Sequence, residues 1–259
     1  MKQKNKAKRR PLVGRPGQVD FIVAGAQKCG TTALRRFLGQ HPQIGLERKR
    51  GETHFFDKHA EAAAQGQYDG YHARFRPGAL NKCTGDVTPI YLYREGCLAA
   101  AHRYNPDMKV IVLLRDPSER AYSQWVMEAE RGKDKRAFLP ALLHEARYFR
   151  QHGQHPVFSY VQRGFYDVQI ARLQAQFPAR NCLILRHEDL RDAHQQTLAR
   201  VFDFLGVRAT EMPPPEVVHK RSYPAMPAYT RRLLVSVFAK DIIRLQVRLG
   251  WDCATWLRS

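Results

Sequence analysis

Short apolar runs alternate along the chain with helical apolar faces. Val19-Asp20-Phe21-Ile22-Val23-Ala24 and Met108-Lys109-Val110-Ile111-Val112-Leu113-Leu114 are β-prone and nearly continuous, the pattern of strands buried on both faces. Asn181-Cys182-Leu183-Ile184-Leu185 is a third such run. Between them, Ala33, Leu34, Phe37 and Leu38 share one face of a helix that begins at Thr31 and ends at His41-Pro42. Asp116 caps a second helix and Pro117 opens it; it runs from about Ser118 into Glu130, before the charged break at Arg131 to Lys135. Tyr166, Ile170, Leu173 and Phe177 mark a third helical face. Leu198, Val201, Phe202 and Leu205 mark a fourth, closed by Gly206. Leu233, Leu234, Val237, Phe238, Ile242, Leu245 and Leu249 predict a C-terminal amphipathic helix, its stripe read as core and not as a membrane helix. Residues 45–82 are mixed and polar, anchored by Tyr68, Tyr71 and Phe75, and the prolines of 207–227 predict a loop.

Strands alternating with helices predict an α/β fold in three layers, with a central, mostly parallel sheet flanked by helices. Residues 1–17 read as a basic, flexible leader and 18–259 as a single domain. The chain of 259 residues is 44% hydrophobic, too apolar for a disordered chain, and no run reaches the ~18 apolar residues of a membrane span. The basic start lacks the apolar stretch of a secretory signal. Cys29, Cys83, Cys97, Cys182 and Cys253 are scattered, with no CxxC pair, so free thiols in a reducing cytosol are expected and no zinc site is indicated.

Charge narrows the partners. The net charge is +19; removing the six cations of residues 1–10 still leaves +13. Such a field favours nucleic acid, a membrane surface, an acidic polysaccharide or a nucleotide, without choosing among them.

The choice comes from Gly25-Ala26-Gln27-Lys28-Cys29-Gly30-Thr31-Thr32, which joins a strand to a helix. Unpaired N–H groups and the positive helix end make that junction an anion site, so the fold is read as P-loop-like. The glycine spacing is that of the Walker loop, yet Thr31 stands where its lysine belongs and the lysine sits inside the loop, as Lys28. A Walker lysine serves a triphosphate beside magnesium. An internal lysine suits a donor with one phosphate-linked transferable group. Arg115 leaves the carboxyl end of a strand, where open α/β sheets bind ligands, and Ser123 follows eight residues later. A guanidinium and a hydroxyl so placed can grip a second phosphate, whereas Arg120 is expected in local salt bridges.

Together these elements resemble the sulfotransferases that use 3′-phosphoadenosine 5′-phosphosulfate, above all the heparan sulfate sulfotransferase group. Residues 25–32 match the family's 5′-phosphosulfate loop, and Leu114-Arg115-Asp116-Pro117-Ser118-Glu119-Arg120-Ala121-Tyr122-Ser123 its 3′-phosphate element. Glu52-Thr53-His54-Phe55-Phe56-Asp57 is similar to the segment with the catalytic glutamate. Asp86-Val87-Thr88-Pro89-Ile90-Tyr91, Arg163-Gly164-Phe165-Tyr166 and Lys220-Arg221-Ser222-Tyr223-Pro224 resemble further pieces. The resemblance implies Lys28 at the departing phosphate, Glu52 as base and His54 as rival base. It implies Gln27, Lys28, Cys29, Gly30, Thr31 and Thr32 around the 5′-phosphate. Arg115, Ser123, Tyr166, Lys220 and Arg221 complete the nucleotide site. It implies no metal.

Two departures stand out: Val87 replaces a family lysine, and His219-Lys220-Arg221 stands for Lys-Gly-Arg. The cysteine pair and the membrane anchor of the animal enzymes are absent, so a bacterial, cytoplasmic enzyme is expected. Its acceptor, a glycan or another molecule, would sit against residues 45–82 and 131–165. Phe55, Phe56 and Trp125 are candidates for core packing, or for stacking on adenine or acceptor. A P-loop kinase or NTPase remains the enzyme alternative, though it needs a lysine after Gly30. A nucleic-acid-binding protein is the second, though no helix-turn-helix, zinc or RNP motif is present.

Overall fold

A computed structural model describes residues 18–47, 51–75, 82–208 and 224–258. The predicted leader, and Lys220 and Arg221, lie outside the described residues. The strands are β1 (Phe21–Gly25), β2 (Ile44–Leu46), β3 (Cys83–Val87), β4 (Lys109–Leu114) and β5 (Cys182–Arg186). They form one sheet in the order β2-β3-β1-β4-β5, with every pairing parallel. The helices are α1 (Thr31–Gly39), α2 (Phe55–Lys58), α3 (Ala60–Ala64), α4 (Asp69–His72), α5 (Cys97–Tyr104), α6 (Pro117–Glu130), α7 (Phe138–His152), α8 (Tyr166–Gln176), α9 (His187–Asp192), α10 (His194–Leu205) and α11 (Ala228–Leu249).

The central strands explain their own sequences. Every residue of β1 is buried, and so are residues 110–114 of β4, because helices cover both faces of the sheet. β5 lies at an edge, and most of its residues are only half-buried. Gly85 of β3 pairs in register with Phe21, and a Cβ at Gly85 would fall 2.0 Å from that ring. The glycine lets the phenylalanine lie flat on the neighbouring strand.

Helix ends follow local chemistry. The Asp116 carboxylate accepts the N–H groups of Ser118 (2.8 Å) and Glu119 (3.3 Å), and Pro117 fills the first helical position. Gly206 closes α10 in the left-handed region, with φ 76°. Tyr71 and Phe75 anchor the 51–75 segment in the core as expected, and Phe55 and Phe56 are core too.

Two expectations need correction, and two elements had no sequence signal. Arg120 makes no local salt bridge: fully buried, it donates to Gln124 Oε1 (2.8 Å) and to the Tyr160 carbonyl. Residues 83–87, ahead of the Thr88-Pro89 turn, are themselves a strand, hidden by Gly85 and Asp86. α7 adds a helix whose buried face includes Glu145, which hides its apolar periodicity. On α11 only Leu234, Phe238, Ile242 and Leu245 of the predicted stripe are deeply buried. Leu233 and Val237 face solvent.

Replacing Gly85 by alanine is expected to force Phe21 off its seat and cost about 1–3 kcal/mol, the usual range for overpacking. A urea denaturation midpoint unchanged from the parent protein would contradict that packing argument.

Candidate active site

The loop between β1 and α1 is fixed at its start. Its Ala26 N–H donates to the Leu113 carbonyl of β4 (2.7 Å), and the Gln27 Oε1 accepts from the buried Arg163 guanidinium. Lys28 is held at φ 71°, a left-handed conformation that costs a non-glycine residue about 1–3 kcal/mol. Gly30 has φ 91°, and a Cβ there would sit 2.8 Å from His187 Nδ1. Both backbone and neighbour demand glycine.

α1 begins without a side-chain cap, and its first turn holds no carboxylate. Its N-terminal N–H groups and positive dipole end therefore face an anion site, unlike those of α6, which Asp116 occupies. A cavity of about 860 Å³ opens there, within the size range of small-molecule sites. Gln27, Lys28, Gly30, Thr31 and Thr32 line it from the loop; Arg115 and Ser123 line it from the end of β4 and from α6; Glu52 and His54 line it from the segment before α2. The cavity also touches Asp57 and Lys58, and Arg131, Lys133, Pro156 and Val157, within the two stretches expected to meet an acceptor.

Two candidates fall outside the lining. Cys29 is fully buried, its thiol 3.6 Å from the Tyr166 hydroxyl and its N–H directed to the Ala26 carbonyl (3.2 Å). Burial pushes that thiol above its ordinary pKa, away from reactivity. Tyr166 is also fully buried, and its hydroxyl donates to the Arg115 carbonyl (2.9 Å). It steadies the backbone of Arg115 from below. Trp125 donates its indole N–H to the Arg136 carbonyl (3.0 Å) and stacks on Tyr122. Sequence reasoning missed His187, which follows β5 as Arg115 follows β4; the rule that ligands gather at strand carboxyl ends points to both.

The Glu52 segment is held by Asp86, a carboxylate with no exposure at all. It accepts from Thr53 Oγ1 (2.6 Å), Thr88 Oγ1 (2.7 Å), Tyr71 OH (3.0 Å) and Tyr91 OH (3.1 Å). Burial raises its pKa, and the four donors oppose that rise. Thr53 is thereby pinned between Glu52 and His54. His54 then bridges two carboxylates: Nδ1 lies 3.0 Å from Asp57 Oδ2 and Nε2 lies 3.1 Å from Glu52 Oε2. Asp57 first, then Glu52, raise the imidazole pKa from 6.5 to about 9. With its pKa raised to about 9, His54 carries its proton at neutral pH and pairs as an imidazolium with both carboxylates.

The chain matches the family model described as "Sulfotransferase domain" over residues 18–230. It is 32% identical over 206 residues to heparan sulfate glucosamine 3-O-sulfotransferase 6 of Homo sapiens, covering 76% of this chain and 56% of the relative. To bifunctional heparan sulfate N-deacetylase/N-sulfotransferase 4 of Mus musculus it is 28% identical, over 92% of this chain and 31% of the relative. The chain thus spans about half or less of the length of these curated relatives. A solved sulfotransferase from Alicyclobacillus acidocaldarius superposes with a TM-score of 0.81 at 27% identity, over 93% of this chain and 99% of that one.

Because the folded pKa of His54 lies above its unfolded value, its contribution to stability is complete below pH 6.5 and is lost as pH rises through about 9. Titration followed by NMR of the His54 ring protons should show a midpoint near 9, falling toward 6.5 in Asp57→Asn. A midpoint that stays put in that variant would remove Asp57 as the main cause.

Proposed function

The chain belongs to the sulfotransferase domain family, and on that footing we propose that it moves a sulfuryl group from 3′-phosphoadenosine 5′-phosphosulfate to a hydroxyl or amine of a carbohydrate acceptor. One observation carries the reading. A single cavity brings together the uncapped start of α1 with Lys28, the Arg115–Ser123 pair, and the Glu52–His54 pair. Relatives whose names specify heparan sulfate glucosamine support a sugar as the acceptor.

The residues fit such a donor. Two cationic stations, Lys28 in the loop and Arg115 beyond β4, line one cavity and correspond to two separate phosphate groups on one nucleotide. The bound nucleotide supplies an activated sulfuryl group on its 5′-phosphate. Thr31 and Thr32, with the N–H groups of the first turn of α1, hold that phosphate. The Lys28 ammonium, 3.8 Å from Met127 Sδ, balances the charge that grows on the phosphate as the sulfur–oxygen bond breaks. Arg115 and Ser123 hold the 3′-phosphate, joined in this proposal by Lys220 and Arg221. Glu52 takes the proton of the acceptor hydroxyl or amine as that atom bonds to sulfur in line with the leaving phosphate. His54, as the imidazolium, orients the Glu52 carboxylate. No step calls on a metal.

Lys28→Ala and Glu52→Gln should each lower turnover at least ~10²-fold in folded protein, the scale of a lost charge stabiliser or general base. A near-parental rate in either variant would take that residue out of the mechanism. Calorimetric titration should give micromolar binding of 3′-phosphoadenosine 5′-phosphate, weakened in Arg115→Ala. Binding of ATP with magnesium in its place would move the protein to the kinase class.

A further inference from the structure

The outward face of α11 is unlike the rest of the helix surface. The inner face packs Leu234, Phe238, Ile242 and Leu245 into the core, against α8 and α6. On the opposite side stand Tyr229, Leu233, Val237, Ile243 and Val247, with exposures from 40% at Val237 to 83% at Val247. Exposed on that same side are Arg232, Lys240 and Arg244. At 3.6 residues per turn these eight positions fall within about 140° of arc. No carboxylate shares the face. Asp241, the one acidic residue of α11, sits on the flank and accepts the Tyr166 N–H (2.7 Å) and the Asp167 N–H. The helix has 22 residues, about 33 Å of length at 1.5 Å per residue, and the aliphatic side chains are spread along all of it.

We propose that this face of α11 docks on an anionic lipid bilayer, lying flat in the headgroup region. The chemistry selects that occupant. Five exposed apolar side chains interspersed with three cations, and no carboxylate among them, combine shallow burial of hydrocarbon with attraction to lipid phosphates. A second copy of the chain would set Arg232, Lys240 and Arg244 against a body of net charge +19. An acidic polysaccharide has nothing to cover five apolar side chains. An acidic protein would need a recess for its anchors, and no residue of α11 lines the cavity. The six cations of residues 1–10, with no carboxylate among them, add sequence-encoded attraction of the same sign. Docking is peripheral: no helix among the described residues is long and apolar enough to cross a membrane. It also leaves the cavity lining untouched, so the inference stands whether or not the proposed sulfuryl transfer holds.

The test is co-sedimentation of the full chain with vesicles of phosphatidylglycerol and phosphatidylcholine, and with vesicles of phosphatidylcholine alone. Partitioning onto the first and not the second is expected. The variant Leu233→Gln/Val237→Gln/Ile243→Gln/Val247→Gln keeps every charge and should lose at least ~10-fold in partitioning, with its melting temperature preserved. Arg232→Gln/Lys240→Gln/Arg244→Gln should lose a comparable amount. If the fourfold variant melts early, Val247→Glu, at the most exposed position, replaces it in the same assay. Undiminished partitioning of the glutamine variant would assign binding to bulk charge and overturn the proposal. So would failure of the parent chain to sediment with either vesicle. A dimer seen by light scattering in the parent and absent from the variant would overturn it in favour of a second copy.

Discussion

The site hangs on one buried carboxylate. Asp86 lies at the end of β3, beside the central strand, and four hydroxyl groups converge on it. Removing such a group from water costs several kcal/mol, and only full satisfaction of its lone pairs offsets that cost. The satisfaction comes from chain segments far apart in sequence: Thr53 before α2, Tyr71 in α4, and Thr88 and Tyr91 after β3. Closing the network brings the 51–58 segment to the end of the sheet, near the loop that carries Lys28. Glu52 and His54 flank Thr53, so a structural requirement for hydroxyls around Asp86 becomes a positional requirement for the Glu52–His54 pair.

The same economy governs the donor side. Parallel strands end in step, so the turn after β1, the start of α6 after β4 and His187 after β5 converge on one edge. Asp116 occupies one helix N-terminus there, and α1 has no carboxylate in its first turn. The difference in capping leaves the start of α1, and not that of α6, open toward the cavity. The departure at Val87 fits this picture. Val87 is buried and pairs with Val23 in the sheet, and the cation that meets the Glu52 carboxylate is His54.

What the sequence revealed, it revealed where local chemistry is sufficient. β1, β4 and β5 are apolar runs, Asp116-Pro117 writes its own helix start, and the loop spacing points to the strand-to-helix junction at the cavity without any fold in hand. β3 was illegible because Gly85 and Asp86 serve partners across the sheet and break the apolar pattern. Cys29 and Tyr166 belong to the matching motifs but act beneath the cavity: motif membership does not say which way a side chain points. Leu233 and Val237 look like core in a helical wheel because periodicity alone cannot separate a wide apolar face from two narrow ones. His54 could be placed near Glu52 from sequence, but not its charge, which depends on Asp57 and Glu52 meeting both ring nitrogens.

Net charge of +19 could serve either donor or surface, and burial separates the two uses. Arg120 and Arg163 lie behind the donor loop, at 0% and 2% exposure, and each holds a backbone carbonyl, of Tyr160 and Pro156 respectively. Glu145 sits beneath, accepting the N–H groups of Val161 and Gln162, its pKa pushed up to about 7 by burial. A guanidinium in that setting is shielded from counterions, whereas cations on the α11 face stand in solvent, where a Debye length of ~8 Å at physiological salt cuts their reach. Ionic strength should therefore act weakly on the positive field behind the loop and strongly on attraction to a surface. The chain carries one set of charges that is buried and organises a site, and another on the outer face of α11 that stands in solvent.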